Sequence, residues 1–234
     1  MLRRPLIPTL AAFACLSLLI PKLSAEDNVP PEGFVALFNG KNMNGWEGLV
    51  GDPIKRAAMS PKSLDKEIAR ETARQLHHWR VQDGVMCYDG SGTSLTTDAD
   101  YGDFELLIDW KIEKDGDSGI YLRGSPQIQI WDPALPIAAG VGSGGLYNNQ
   151  KNPNKPLKNA DKPVGEWNTF RIKMIGEKVT VHLNGELVVD NVTMENYWER
   201  DKPIYPTGRI ELQHHEHPIY FKNIFIRKIK KGGE

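Results

Sequence analysis

A chain of 234 residues with a formal net charge of −1 and 40 % hydrophobic residues is long enough for one domain with a full core. The near-neutral balance excludes nucleic acid and anionic membrane as partners, because both select strongly basic surfaces. Of its two cysteines, Cys15 falls in an N-terminal leader, so a mature chain keeping only Cys87 has no internal disulfide and must be stabilised by packing.

The leader begins with Arg3 and Arg4, runs through an apolar stretch from Leu10 to Ile20 and closes on Leu23-Ser24-Ala25. That layout is a bacterial secretory signal peptide over residues 1–25, and its apolar run is too short for a membrane span. The expectation is export to the periplasm or the extracellular space, with a single domain over residues 26–234 and no membrane contact after cleavage. GFVALFNGKNMNGWEG then gives a strand, an Asn-Gly turn and a tryptophan at a sheet edge. Ser60-Pro61 has the form of a helix start, with serine as cap and proline at the first helical position. The run that follows predicts a helix over residues 61–76, whose thin stripe of Leu64, Ile68 and Leu76 marks an insertion on the outside of the domain.

Strand patterning resumes at Trp79 with WRVQ, an Asp83-Gly84 turn, VMCY and SLTT. From Asp103 to Gly124 the chain reads as two strands joined by a tight DGDSG turn. Phe104, Leu106, Ile108 and Trp110 alternate with Glu105, Leu107, Asp109 and Lys111, then Ile120 and Leu122 with Tyr121 and Arg123. On that hairpin reading Glu105, Asp109, Tyr121 and Arg123 are offered by neighbouring strands. QIQIW follows, and then a loop over residues 132–165 whose GSGGLYNNQ portion carries Tyr147 and Asn148. A loop of that length in a compact domain is functional or disordered, and an aromatic with three amides favours function. WNTFRIKMIG, KVTVHLNG and ELVVDNV alternate strictly, with Asn184-Gly185 as a hairpin cue; after the MENYWERD loop, which carries Trp198, come RIELQHH and IYFKNIFIRKI. About a dozen short strands and one peripheral helix, without a βα alternation, predict an all-β two-sheet sandwich.

On RIELQHH, Glu211, Gln213 and His215 share one face at steps of about 6–7 Å. His214, His215 and His217 cluster with Glu216, but adjacent strand residues point apart and the spacing matches no helical metal motif, so no metal ligands are assigned. Glu105 and Asp109 lie about 13 Å apart on one strand face, too far for the carboxylate pair of an ordinary glycosidase.

Taken together, GFVALFNGKNMNGW, WRVQDGVM, YGDFELLIDWKI, SGIYLRG, QIQIWD, GEWNTFRI, VTVHLNGELVVD and RIELQHH with YFKNIFIRKI resemble the 3-keto-disaccharide hydrolase domain family over nearly all of the chain after Pro31. The resemblance implies a concanavalin A-like jelly roll with a sugar-binding face, cleaving 3-keto-glycosides by 1,2-elimination and by hydration of the 3-keto-2-hydroxy-glucal. Its substrate would be a small 3-keto sugar supplied by a separate sugar 3-dehydrogenase. By motif it carries over Glu105, Arg123, Gln129, Asp132, Gln213 and His215. The chain departs from the family pattern at Gln127, where an acidic residue is frequent. It departs again at His214-His215-Glu216, where Asn-His-Gly or Asp-His-Gly is the pattern, so two imidazoles compete for the key position.

The expected assignment makes His215, relayed by Glu211, the base that removes the C2 proton. Arg123 holds the 3-keto oxygen, and Glu105 or Asp132 serves the leaving oxygen. A bound divalent cation is the alternative enolate partner, with His215 as its ligand. Gln129, Gln213, Tyr147, Asn148 and Trp198 are expected to bind substrate, and Glu105, Arg123, Gln129, Glu211, Gln213 and His215 to converge within about 10 Å on one sheet face. A non-catalytic carbohydrate-binding sandwich is the competing function, which the charged face disfavours.

Overall fold

The computed structural model describes residues 27–230, so the signal-peptide assignment lies outside the described residues. Among these residues thirteen strands form two antiparallel sheets. The first eight strands of the chain are β1 (Val35–Ala36), β2 (Trp46–Gly48), β3 (Trp79–Gln82), β4 (Val85–Tyr88), β5 (Leu95–Thr97), β6 (Phe104–Ile112), β7 (Asp117–Leu122) and β8 (Ser125–Trp131). The remaining five are β9 (Asn168–Ile175), β10 (Lys178–Leu183), β11 (Glu186–Thr193), β12 (Glu211–Leu212) and β13 (Ile219–Lys228). The larger sheet has the order β11-β10-β9-β6-β13-β4-β3, with β1 also paired to β13; the smaller has the order β2-β5-β12-β7-β8. This is an all-β, jelly-roll-like sandwich, as the period-2 runs require.

The two inner faces close on one core. Phe104, Leu106, Ile108 and Trp110 from β6 meet Leu95, Ile120, Leu122, Ile128, Ile130 and Leu212 from the smaller sheet, all of them buried. Aromatic pairs fill the interior, with the rings of Trp79 and Tyr88 stacked at 4.6 Å and those of Trp110 and Phe170 at 5.4 Å. Between β10 and β11, Asn184 and Gly185 both take positive φ (54° and 87°), the backbone a two-residue hairpin of matching twist demands.

The stretch from Asp103 to Gly124 is not a hairpin. β6 belongs to the larger sheet and β7 to the smaller, so residues 113–116 form an arch that carries the chain across the sandwich. Asp115 has φ 62°, and the Gly116 amide donates to the Glu113 carbonyl at 3.0 Å. Alternation within a strand is blind to this difference, because a hairpin and an arch are flanked by the same period-2 pattern.

The insertion after β2 holds two helices. The expected helix is present as α2 (Pro61–Gln75), capped by the Ser60 side chain, and ends one residue short of Leu76. Ahead of it lies α1 (Pro53–Ala58), unforeseen although Asp52-Pro53 repeats the cap-and-proline signature; the Asp52 side chain accepts from the Lys55 amide at 2.9 Å. α2 seats directly on β2: the Gly48 amide donates to Thr72 Oγ1 at 3.0 Å, and a Cβ on Gly48 would stand 2.5 Å from the Glu71 backbone. Gly48→Ala should therefore lower unfolding stability by about 1–3 kcal/mol through overpacking. Urea unfolding measures this, and an unchanged midpoint would mean that α2 is not held against β2.

Candidate active site

The polar chemistry collects on the outer face of the smaller sheet. One registered row crosses all five strands: Glu47 pairs with Thr96, Thr96 with Glu211, Glu211 with Tyr121, and Tyr121 with Gln127. Since Leu95, Leu212, Ile120 and Ile128 turn inward, alternation turns this whole row outward. Two residues further along, the Gln213 amide donates to the Gly119 carbonyl at 2.9 Å and Gly119 pairs with Gln129. The next step brings Asp117 opposite Trp131, with His215 Nε2 3.9 Å from Asp117 Oδ2. At Gly119 a Cβ would meet Gln127 Oε1 at 2.8 Å, so glycine keeps the floor open between the two glutamines.

Although it faces outward, this floor is largely buried, because α1 and the loop around Trp198 stand over it. Between them lies a cleft of about 320 Å³, lined by Asp52, Lys55, Ser94, Tyr121, Trp198, Glu211, Gln213 and His214. Thr96, Gln127 and Gln129 are under 5 % exposed, and Glu211 is 9 % exposed. An amide relay runs along β8: Gln127 Nε2 donates to Gln129 Oε1 at 2.5 Å, and Gln129 Nε2 to Asp117 Oδ1 at 2.7 Å. Gln127 Oε1 and Gln213 Oε1 are buried without a protein donor, acceptors available to a ligand hydroxyl.

Burial sets the charge states. It pushes the Glu211 carboxyl up to about 7, with the Ser94 hydroxyl and the Arg56 charge opposing only in part. Burial, and next the Glu211 charge, raises the Tyr121 phenol, which stays neutral. Asp117 is likewise raised by burial, against the pull of His215 and the Gln129 hydrogen bond. His214, whose Nδ1 lies 2.9 Å from Ser94 Oγ, is held down by burial and by its neighbour His215. His215 is 43 % exposed at its side chain, and its ring stacks parallel to that of His217 at 6.4 Å.

The expected convergence divides. Glu211, Gln213, Gln129 and His215 share this face; Glu105 and Arg123 do not. Glu105 lies on the outer face of the larger sheet, where it pairs with Arg171 at 2.5 Å and with Arg227. Burial acts to raise its pKa, but the two guanidinium groups hold the carboxyl below the usual range. Asp109, on the same strand face, is bound by the Thr169 hydroxyl at 2.6 Å and by Asn223. Arg123 has φ 56° and a fully buried side chain tied to the carbonyls of Gly102, Gly176 and Tyr205 and to Asp103 at 2.8 Å. That guanidinium clamps loops and has no donor directed at the Glu211 row. Asp132 is also committed, accepting from the amides of Asp115 (3.0 Å) and Ala134 (2.8 Å), so it braces the arch. These three assignments depended on the hairpin or on motif position, and both fail where the chain changes sheets.

The loop residues stand at the border. Trp198 lines the cleft and donates from Nε1 to the Gly124 carbonyl at 2.7 Å. Tyr147 packs edge-on against Trp131 at 5.7 Å, and Asn148 Oδ1 accepts from the Gln127 amide at 3.4 Å, both beyond the β8 edge. Asp117, Tyr121 and Ser94 are the functional-face residues the sequence reading left out of the site. Counting back by twos from Tyr121 through Gly119 reaches Asp117, a signal hidden because DGDS also reads as a turn. Among the described residues no three His, Cys, Asp or Glu side chains are gathered as a metal's ligand set.

A sandwich whose smaller sheet carries a half-covered polar row of carboxyl, phenol, amide and imidazole groups has the layout of a carbohydrate-active protein. Residues 33–227 match the model of the 3-keto-alpha-glucoside-1,2-lyase-like domain, and the chain belongs to that family. A 3-keto-disaccharide hydrolase from Bacteroides thetaiotaomicron is 24 % identical over 254 aligned positions, covering 85 % of this chain and 79 % of the relative. A crystal structure from Parabacteroides distasonis, assigned as a glycosyl hydrolase, superimposes with a TM-score of 0.64 at 25 % identity, covering 88 % of this chain and all of the other. A second structure from the same organism gives 0.64 at 26 % identity and 85 % coverage of both chains.

A buried carboxyl raised toward neutrality has a stability signature. Below the unfolded-state pKa near 4.5 Glu211 is neutral in both states; as pH rises from there to about 7 the unfolded chain ionises while the folded one keeps the proton, so stability falls, and it levels off above about 7. Glu211→Gln should remove that fall, a difference of a few kcal/mol at most between pH 5 and pH 8 in urea unfolding. Equal pH slopes in the two proteins would show that Glu211 is solvated.

Proposed function

We propose that this glycoside-cleaving enzyme acts on 3-keto-glucosides by 1,2-elimination, and that it hydrates the resulting 3-keto-2-hydroxy-glucal. The observation that carries the reading is the order of groups along the floor: a protonable Glu211 beside neutral Tyr121, and two strand steps away the pair of His215 and Asp117. A ketone at C3 acidifies the C2 hydrogen. Imidazole is well suited to take that proton, and Asp117 faces the imidazolium that forms. As the C2–H bond breaks, its electron pair enters the C2–C3 bond and the charge moves onto the C3 oxygen; collapse of that enolate restores the C3 carbonyl, forms C1=C2 and breaks the C1–O bond. The proton held by His215 passes to the departing oxygen on the neighbouring carbon, so one imidazole serves both steps. Hydration reverses the sequence, with water adding at C1 and the proton returning to C2.

Enolate charge gathers on the C3 oxygen, and a buried carboxylic acid beside a phenol supplies two donors for it without introducing a fixed cation. Glu211 and Tyr121 take the role that sequence reasoning gave to Arg123. Gln213 and Gln127, with their open amide oxygens, suit the sugar hydroxyls, and Trp198 suits a sugar face. The N-terminal leader supports export, and the need for a ketone at C3 supports a sugar 3-dehydrogenase acting first.

Two measurements test this. His215→Ala should lower kcat on 3-keto-trehalose by about 10²-fold or more, and in D2O the wild-type protein should place deuterium at C2 of recovered substrate if proton removal is reversible. Because Glu211 acts protonated, kcat/KM should fall as pH rises through about 7, and Glu211→Gln should flatten that limb. Comparable cleavage of an unoxidised glucoside would discard elimination, and activity lost to a chelator and restored by metal would move the enolate role to a cation.

A further inference from the structure

At the β8 edge of the polar face, beside Gln129, lies a separate cavity that the chemistry above does not use. It encloses about 130 Å³ and is walled by Trp131, Ile137, Ala138, Val141 and Tyr147, with Gln129 at its inner side. Its frame is rigid. Trp131 Nε1 donates to the Gly142 carbonyl at 2.6 Å, and the Trp131 amide to Ser143 Oγ at 3.1 Å. The Gly144 amide and the Gly145 carbonyl bond the two sides of the Gln129 peptide at 2.8 and 2.9 Å, so this segment runs along β8 like a further strand. At Gly145 a Cβ would stand 2.6 Å from the Asn154 carbonyl, so the wall closes only around glycine.

We propose that this cavity is the aglycone subsite and that it takes an apolar, single-ring aglycone in preference to a second sugar. The inference rests on the reading of the groove as a 3-keto-glucoside site. Position is the first support. Gln129 borders the cavity, and its side chain is bonded to Asp117, which faces His215; Trp131 itself pairs with Asp117. A sugar lying on the floor between Glu211 and His215 rests on the Gln213–Gly119–Gln129 row, whose β8 end borders the cavity. Chemistry is the second support. Most of the lining is hydrocarbon and aromatic, with Gln129, Asn154 and Lys155 as its polar side chains, too few to satisfy the several hydroxyls a second hexose would bury. The size suits one ring, since an apolar cavity of about 150 Å³ accepts benzene. Ile137 is 60 % exposed and Tyr147 42 % exposed, an apolar doorway on an otherwise polar rim.

Val141→Trp, which fills the cavity, and Ile137→Asp, which charges its mouth, test the assignment by two routes. In the first, unoxidised benzyl glucoside is added to the full protein and saturation transfer is read at its ring protons by NMR. Transfer in the wild type that is lost in the variants is expected; no transfer, or equal transfer in all three, overturns the subsite. In the second, benzyl and methyl 3-keto-glucosides are compared, because their leaving alcohols are chemically alike. The wild type should favour the benzyl compound in kcat/KM by about tenfold or more, and both variants should lose that preference while the methyl compound changes by less than about threefold. Equal rates for benzyl and methyl in the wild type would overturn the proposal. Should neither be cleaved, the elimination chemistry falls while the binding route still decides the subsite. Ile137→Asp, at an exposed position, keeps the test intact if Val141→Trp does not fold.

Discussion

The arch over residues 113–116 is the constraint on which the site depends. It takes the chain from the centre of the larger sheet to the smaller one, so the outward residues of β6 and β7 point to opposite sides of the sandwich. Asp132 holds it from below: one carboxylate oxygen accepts the Asp115 amide, while the Asp132 amide donates to the Gly116 carbonyl at 2.8 Å. Once β7 is committed to the smaller sheet, Tyr121 must lie in register with Glu211, and Asp117 must come within reach of His215. The polar face is therefore a product of strand pairing across long separations in the chain, each pair fixing the next.

A polar sheet face buried this deeply needs covering elements. The insertion supplies one side: α2 lies on β2 at Gly48, and α1 leads from there over the row, with Asp52 and Lys55 at the cleft. The segment first read as an outside decoration thus contributes a wall of the site. The opposite side is closed by the long loop, whose amides at Gln150, Lys151 and Asn152 are gathered by the carboxylate of Glu195 at 2.7–2.8 Å. Three charge-assisted bonds to one side chain give an otherwise irregular loop a fixed position, which is what a cavity with defined walls requires.

The two outer faces treat carboxylates differently. On the larger sheet Glu105 has two arginines and remains ionised; on the smaller sheet Glu211 has only the Ser94 hydroxyl and a distant guanidinium, and burial prevails. Satisfied charges on the first face contribute to stability and leave nothing for chemistry. Unsatisfied groups on the second cost stability and remain available to a substrate, the usual relation between a strained site and the scaffold that supports it.

What the sequence determined by itself was everything set by local periodicity and local backbone chemistry. Alternation fixed the strands and the inward core, Ser60-Pro61 fixed the start of α2, Asn184-Gly185 fixed a hairpin, and spacing along RIELQHH put Glu211 with Gln213 on one face. Motif resemblance extended this to the family. Tertiary structure alone decided which sheet each strand joined. A connection of four residues is compatible with a hairpin or with an arch, and only the global burial of both inner faces distinguishes them. For that reason Glu105, Arg123 and Asp132, all polar and all in recognisable motifs, went to ion pairs and turns. Asp117 and Tyr121 reached the site through pairings with residues as distant as Glu211, where the free energy of closing the core outweighs any local preference.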